Sequence, residues 1–173
     1  NYEQADYRMQ DGDLFHPNTI TPVPEHVAEA LPNITKKSLM LSFRNIDMIA
    51  FLDLNTQTIT WAFYGPWKGQ HDTQFLDNGH VIMLDNQGNT GPGGCSRILE
   101  VDLKDLRIVW EYAGSPRKPF CTEYNGMIEV LPNGNILVTE TENGRIFEVT
   151  REKEIVWEYY VDSRIIRDGM KLI

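Results

Sequence analysis

Short runs of β-branched, aliphatic and aromatic residues alternate along the chain with clusters of Gly, Asn, Asp and Pro, the pattern of strands separated by turns. The runs fall into three sets. They lie at Ser38–Asn45, Met48–Asp53 and Ile59–Gly65; at His80–Asn86, Arg97–Asp102 and Ile108–Gly114; and at Asn135–Thr141, Arg145–Thr150 and Ile155–Tyr159. The sets repeat: Trp61, Trp110 and Trp157 recur at 49 and 47 residues, while Arg97 and Arg145, and Glu100 and Glu148, are 48 apart. One more strand precedes each set, at Asn18–Val23, Gln70–Leu76 and Met127–Leu131. The last two run into Asp77-Asn78-Gly79 and Pro132-Asn133-Gly134, which read as two-residue hairpin turns because Asn-Gly accepts positive φ cheaply. No stretch keeps a helical period with caps over three turns. Glu25 to Ala30, opened by Pro24, is the one place for a turn of helix.

Four antiparallel strands in roughly 48 residues is the arithmetic of a β-propeller blade. The chain is therefore expected to be all-β, a propeller of four-stranded antiparallel blades with about three present. The blades are placed at 16–66, 67–119 and 120–162; residues 1–15 read as a linker or the end of a preceding blade, and 163–173 as the start of a further blade or a tail. Three blades leave open edges, so the ring is expected to be completed by further blades or by association into a homo-oligomer. On this reading the Trp and Tyr columns are packing between blades.

Composition narrows the partners. A formal net charge of −9, with no basic run longer than Lys36-Lys37, repels phosphate backbones and excludes nucleic acid. No apolar run approaches the ~18 residues of a membrane span. Asn1 to Asp13 are polar and acidic and do not read as a secretory signal. Cys95 and Cys121 form no Cys-x-x-Cys pair; they read either as one disulfide or as two free, half-buried thiols. Asn33-Ile34-Thr35 matches the glycosylation acceptor pattern, which matters only in a secreted eukaryotic protein.

Blade geometry then locates the candidate chemistry. The head of an innermost strand and the end of the second strand lie on the same face, beside the central channel. His16 heads the first inner strand and His71 the second; Arg44-Asn45 and Asp85-Asn86 end the second strands of the same blades. Two histidines, an arginine and two amides should converge on one mouth of the channel, while the third blade has Asn125-Gly126 there and no histidine. An arginine fork suits sulfate or phosphate, and a neutral imidazole is a competent nucleophile at neutral pH. His26, in a polar loop, and His80, on the opposite rim, look structural, as do the repeating Glu100 and Glu148. No third ligand accompanies the two histidines, so no metal is expected.

The run Leu41-Ser42-Phe43-Arg44-Asn45-Ile46-Asp47, the segment Gly65 to Asp72 with its Gln70-His71-Asp72, and Leu131 to Asn135 with Gly144 to Val149 resemble the arylsulfotransferase family of β-propellers. The resemblance runs from about His16 to Trp157. It implies a six-bladed, extracytoplasmic (periplasmic or secreted) protein that needs no cofactor. It also implies transfer of a sulfuryl group from an aryl sulfate donor to a phenolic acceptor through a sulfohistidine. By motif, His71 matches the catalytic nucleophile, and His16, Asn18 and Arg44 match substrate-binding positions. The alternative is a non-enzymatic propeller serving as a binding or interaction module. A third reading is a quinoprotein-like dehydrogenase, since Ala50 to Trp61 is similar to the tryptophan motif of those propellers.

Overall fold

The computed structural model describes residues 12–161 and, beyond them, the backbone of two short strands. The readings made for residues 1–11, and for the side chains of 162–173, lie outside the described residues. Three four-stranded antiparallel sheets follow one another along the chain, each with its strands in sequence order. The first is β1 (Pro17–Pro22), β2 (Ser38–Phe43), β3 (Met48–Asp53) and β4 (Thr58–Tyr64), with α1 (Glu25–Ala30) between β1 and β2. The second is β5 (His71–Phe75), β6 (Val81–Asp85), β7 (Arg97–Asp102) and β8 (Arg107–Tyr112). The third is β9 (Met127–Val130), β10 (Ile136–Glu140), β11 (Arg145–Val149) and β12 (Ile155–Tyr160). The pair β13 (Ile166–Arg167) and β14 (Met170–Lys171) forms a separate two-stranded sheet. The chain is all-β and blade-like, as the repeat predicts; His26 lies in α1 rather than in a loop.

The middle blade shows why the repeat is apolar where it is. Its second strand, Val81-Ile82-Met83-Leu84-Asp85, is buried at every position. Alternate side chains serve two cores: Val81 and Met83 join Met40, Ile49, Phe51, Phe63, Trp67 and Val27 on one side. Ile82 and Leu84 join Ile98, Phe120, Ile136 and Phe147 on the other. A strand covered on both faces reads as an unbroken apolar run instead of an alternation.

The tryptophans of the first two blades serve the blade interfaces. Trp61 stacks on Phe51 at 5.4 Å, and Trp110 donates Nε1–H to the Arg151 carbonyl at 2.7 Å with the Arg151 guanidinium over its ring. Trp157, in the last described blade, stacks on Tyr159 and is 48% exposed. The acids of the repeat are rim clasps: Glu100 accepts from Asn78, His80 and Arg151, and Glu148 from Asn133 and Asn135. Their first-blade counterpart is Phe51, which faces the apolar core instead.

The turns correct one expectation. Leu76 and His80 pair across three residues, with Gly79 N–H bonded to the Leu76 carbonyl at 2.9 Å; Leu131, Gly134 and Asn135 do the same. Gly79 (φ 85) and Gly134 (φ 84) carry the left-handed position, while Asn78 and Asn133 do not. These are three-residue hairpins closed by a glycine bulge, not two-residue turns. The asparagines are used for their side chains, on the rim glutamates.

Phe147 is fully buried, at 5.4 Å from Phe120 and 5.8 Å from Tyr112. Phe147→Ala should therefore lower unfolding free energy by about 3–5 kcal/mol in urea titration. Val109→Ala, on an outer strand at 39% exposure, should cost roughly 0.5 kcal/mol or less. Equal effects would contradict the assignment of the second core.

Candidate functional site

Both histidine-bearing inner strands begin irregularly. In β1 the register slips between Pro17 and Thr19, and in β5 between His71 and Gln74, each slip adding one residue to the inner strand. The backbone reaches positive φ at His16 (46°) and at Asp72 (50°). Bulges of this kind bend a strand end and re-aim its side chains. They bring the two imidazoles edge to face, with ring centroids 6.5 Å apart.

His71 is held by its Nδ1. That atom lies 2.9 Å from Asn86 Oδ1 and 3.1 Å from the Gly69 carbonyl. The Asn86 amide is oriented by its other end, because Nδ2 donates to the carbonyls of Thr122 at 2.6 Å and Asn125 at 2.8 Å. Its oxygen must then face His71. Two acceptors at Nδ1 place the proton there, so the neutral ring keeps its lone pair on Nε2. Burial pulls the His71 pKa below its usual value, partly opposed by the bonds to Asn86 and Gly69; the charges of Arg44 and His16 act with burial.

Arg44 is buried rather than solvated, at 7% exposure. It opens a 3₁₀ turn, Arg44–Ile46, that follows β2. Its guanidinium donates to Asn45 Oδ1 at 3.1 Å and to the Glu123 carbonyl at 3.4 Å, and lies 5.7 Å from the Tyr124 ring centroid. Thus a first-blade cation reaches the segment between the second and third blades. His16 is tied to Asp13, which accepts from its backbone N–H at 2.9 Å and pairs with its Nδ1. The bond to His16 holds the Asp13 carboxyl below its usual range.

Three sequence-derived positions therefore lie close together: His16, His71 and Arg44. Asn18 has a different contact. Its Nδ2 donates to the Gln70 carbonyl at 2.7 Å, so it grips the backbone just before His71. Gln70 and Asp72 are also structural. Gln70, fully buried, spans to Ser42, Phe43 and Met48, and Asp72 accepts the Ile128 N–H at 2.7 Å.

Sequence reasoning missed Asp13 and the 121–125 segment with Glu123 and Tyr124. The cysteines were the available signal for the latter. Cys95 and Cys121 form a disulfide, with Cα atoms 4.7 Å apart, settling the alternative left open by their spacing. No helix among the described residues is long and apolar enough to cross a membrane.

Among solved structures the chain is similar in fold to several proteins. It matches the WD40 β-propeller domain of Doa1 at 16% identity and TM-score 0.58, covering 85% of this chain and 41% of that one. Catalytically inactive H270A virginiamycin B lyase from Staphylococcus aureus, with quinupristin, matches at 16% identity and TM-score 0.55, covering 86% and 42%. Kuenenia stuttgartiensis hydrazine synthase matches at 17% identity and TM-score 0.56, covering 87% and 37%. The chain thus spans about two-fifths of the length of these structures, and the likeness is one of fold. No curated protein matches. The sequence profile described as Arylsulfotransferase (ASST) matches residues 4–162, nearly the whole chain, and the chain belongs to the arylsulfotransferase family.

Proposed function

We propose that this protein is an aryl sulfotransferase in which His71 Nε2 carries the sulfuryl group between an aryl sulfate and a phenol. The observation that carries this reading is the setting of His71 Nδ1 between Asn86 Oδ1 and the Gly69 carbonyl, two acceptors that favour the tautomer with its lone pair on Nε2, beside His16 and Arg44. Nε2 attacks sulfur as the bond from sulfur to the aryl oxygen breaks, and a phenolate leaves. A second phenol then attacks the same sulfur, the N–S bond breaks, and the acceptor's proton is released. While the group is attached the ring is cationic, and its Nδ1–H bonds to Asn86 and Gly69 spread that charge. Arg44 offers a cationic donor, and His16 a ring nitrogen, to the sulfuryl oxygens, where charge builds. Asn18 acts through the Gln70 backbone.

The remaining blades of the ring would cover the exposed Trp157 face, supplied by further sequence or by a second copy. A disulfide is kept in oxidising compartments, which supports an extracytoplasmic location.

Transfer from an aryl sulfate to a phenol should vanish in His71→Ala with the circular dichroism spectrum retained. Arg44→Ala should lower kcat/KM by about 10²–10³-fold. Full turnover in His71→Ala would contradict His71 as the carrier; no turnover of any aryl sulfate by the native protein would point to a binding module instead.

The pH dependence has a fixed sign. Since burial depresses the His71 pKa, kcat/KM should hold as pH falls past ~6.5 and decline only below it. For stability, the unfolded chain protonates this histidine first, so its contribution is lost as pH drops from ~6.5 toward the folded pKa. A kcat/KM profile of the native protein whose acid limb is centred above ~6.5 would contradict the burial argument.

A further inference from the structure

The segment from Cys121 to Asn125 is a strap that touches both Arg44 and Asn86, the partner of His71. At its start, Cys121 is joined to Cys95, 26 residues earlier in the β6–β7 loop. Around the staple the two segments interlock. Thr122 N–H donates to Ser96 Oγ at 2.8 Å, Ser96 N–H donates to the Phe120 carbonyl at 3.1 Å, and Ser96 Oγ–H reaches the Asn86 carbonyl at 2.7 Å. Ser96, Asn86 and Thr122 are all fully buried. The approach is close enough that a Cβ on Gly94 would lie 2.2 Å from the Phe120 carbonyl oxygen. Further along, the strap is held by the third blade, where Cys121 N–H donates to Glu140 at 2.9 Å and Tyr124 N–H to Glu142 at 3.1 Å. Its Glu123 carbonyl accepts from Arg44, and its Thr122 and Asn125 carbonyls accept both N–H groups of Asn86.

That last contact decides the chemistry of His71. The two ends of a carboxamide have nearly the same shape and opposite hydrogen-bonding sense. With the strap in place, the Asn86 nitrogen is committed to it and the oxygen faces Nδ1. With the strap displaced, the two carbonyls are lost and the amide can turn over. An N–H would then face the Nδ1–H, a donor against a donor, although the Gly69 carbonyl stays nearby. Relief comes by moving the proton to Nε2 or by swinging the ring away, and either removes the lone pair from the mouth.

We propose that Asn86 is the positioning residue of His71, and that the strap pinned by the Cys95–Cys121 disulfide locks Asn86 and thereby the tautomer of the imidazole. The proposal rests on the reading of His71 as the nucleophile, and its test separates the two. Long-range proton–nitrogen NMR of the ¹⁵N-labelled protein, without substrate and at a pH where His71 is neutral, reports which ring nitrogen carries the proton. The native protein should show His71 protonated at Nδ1. Cys95→Ser/Cys121→Ser and, with the disulfide intact, Ser96→Ala should each give mixed or Nε2-protonated His71. Their kcat should fall roughly 10- to 100-fold with KM changed little. Asn86→Ala should do the same, and adding Cys95→Ser/Cys121→Ser to it should produce no further loss, because both act through one amide. Ser96→Ala keeps the test open should the cysteine variant fail to fold. An unchanged tautomer in the folded variants, or losses that multiply when combined with Asn86→Ala, would overturn the lock. A tautomer that shifts while turnover does not would uphold the lock and overturn the nucleophile.

Discussion

The structure depends on a constraint of sheets: a blade has two faces, and each apolar face must be covered by another element. The second blade satisfies it completely, with β6 sending Val81 and Met83 into one core and Ile82 and Leu84 into the other. The cluster of His16, His71 and Arg44 inherits its position from that packing. The inner strands are tied across blades by side chains bonded to neighbouring backbone: Asn18 to Gln70, Gln74 to Ile128, Thr21 to Thr73 and Asp72 to Ile128. A blade cannot move without pulling on its neighbour's inner strand.

On that rigid ground the site uses departures from regularity. The bulges at the heads of β1 and β5 turn His16 and His71 toward each other, and the 3₁₀ turn after β2 carries Arg44 inward. The third blade, without a histidine, contributes backbone instead: the segment before β9 gives carbonyls to Arg44 and to Asn86. Each blade thus supplies a different part of one constellation.

Much of the fold was legible because the repeat is a packing code. The spacing of Trp61, Trp110 and Trp157 placed strands that the structure reproduces to within a residue or two, and blade geometry anticipated that His16, Arg44 and His71 lie close together. What was not legible depends on tertiary partners. Arg44 at a strand end looks like a surface group until Glu123 and Tyr124 close over it. Gln70 and Asp72 look like companions of the histidine, yet they brace adjacent blades because positive φ at Asp72 turns its carboxylate to β9. Asn-Gly suggested two-residue turns, but rim glutamates recruit the asparagine side chains and leave the left-handed position to glycine. Two cysteines alone did not reveal that they pair, and the strap they hold carries no motif of its own.

The most direct measurement is peptide mapping by mass spectrometry after brief mixing with an aryl sulfate in the absence of acceptor, under alkaline quench. The account predicts one sulfuryl group on the peptide containing His71, attached to the imidazole and discharged by added phenol. An unmodified His71 in protein that turns over the aryl sulfate, or a sulfuryl group on another residue, would contradict it.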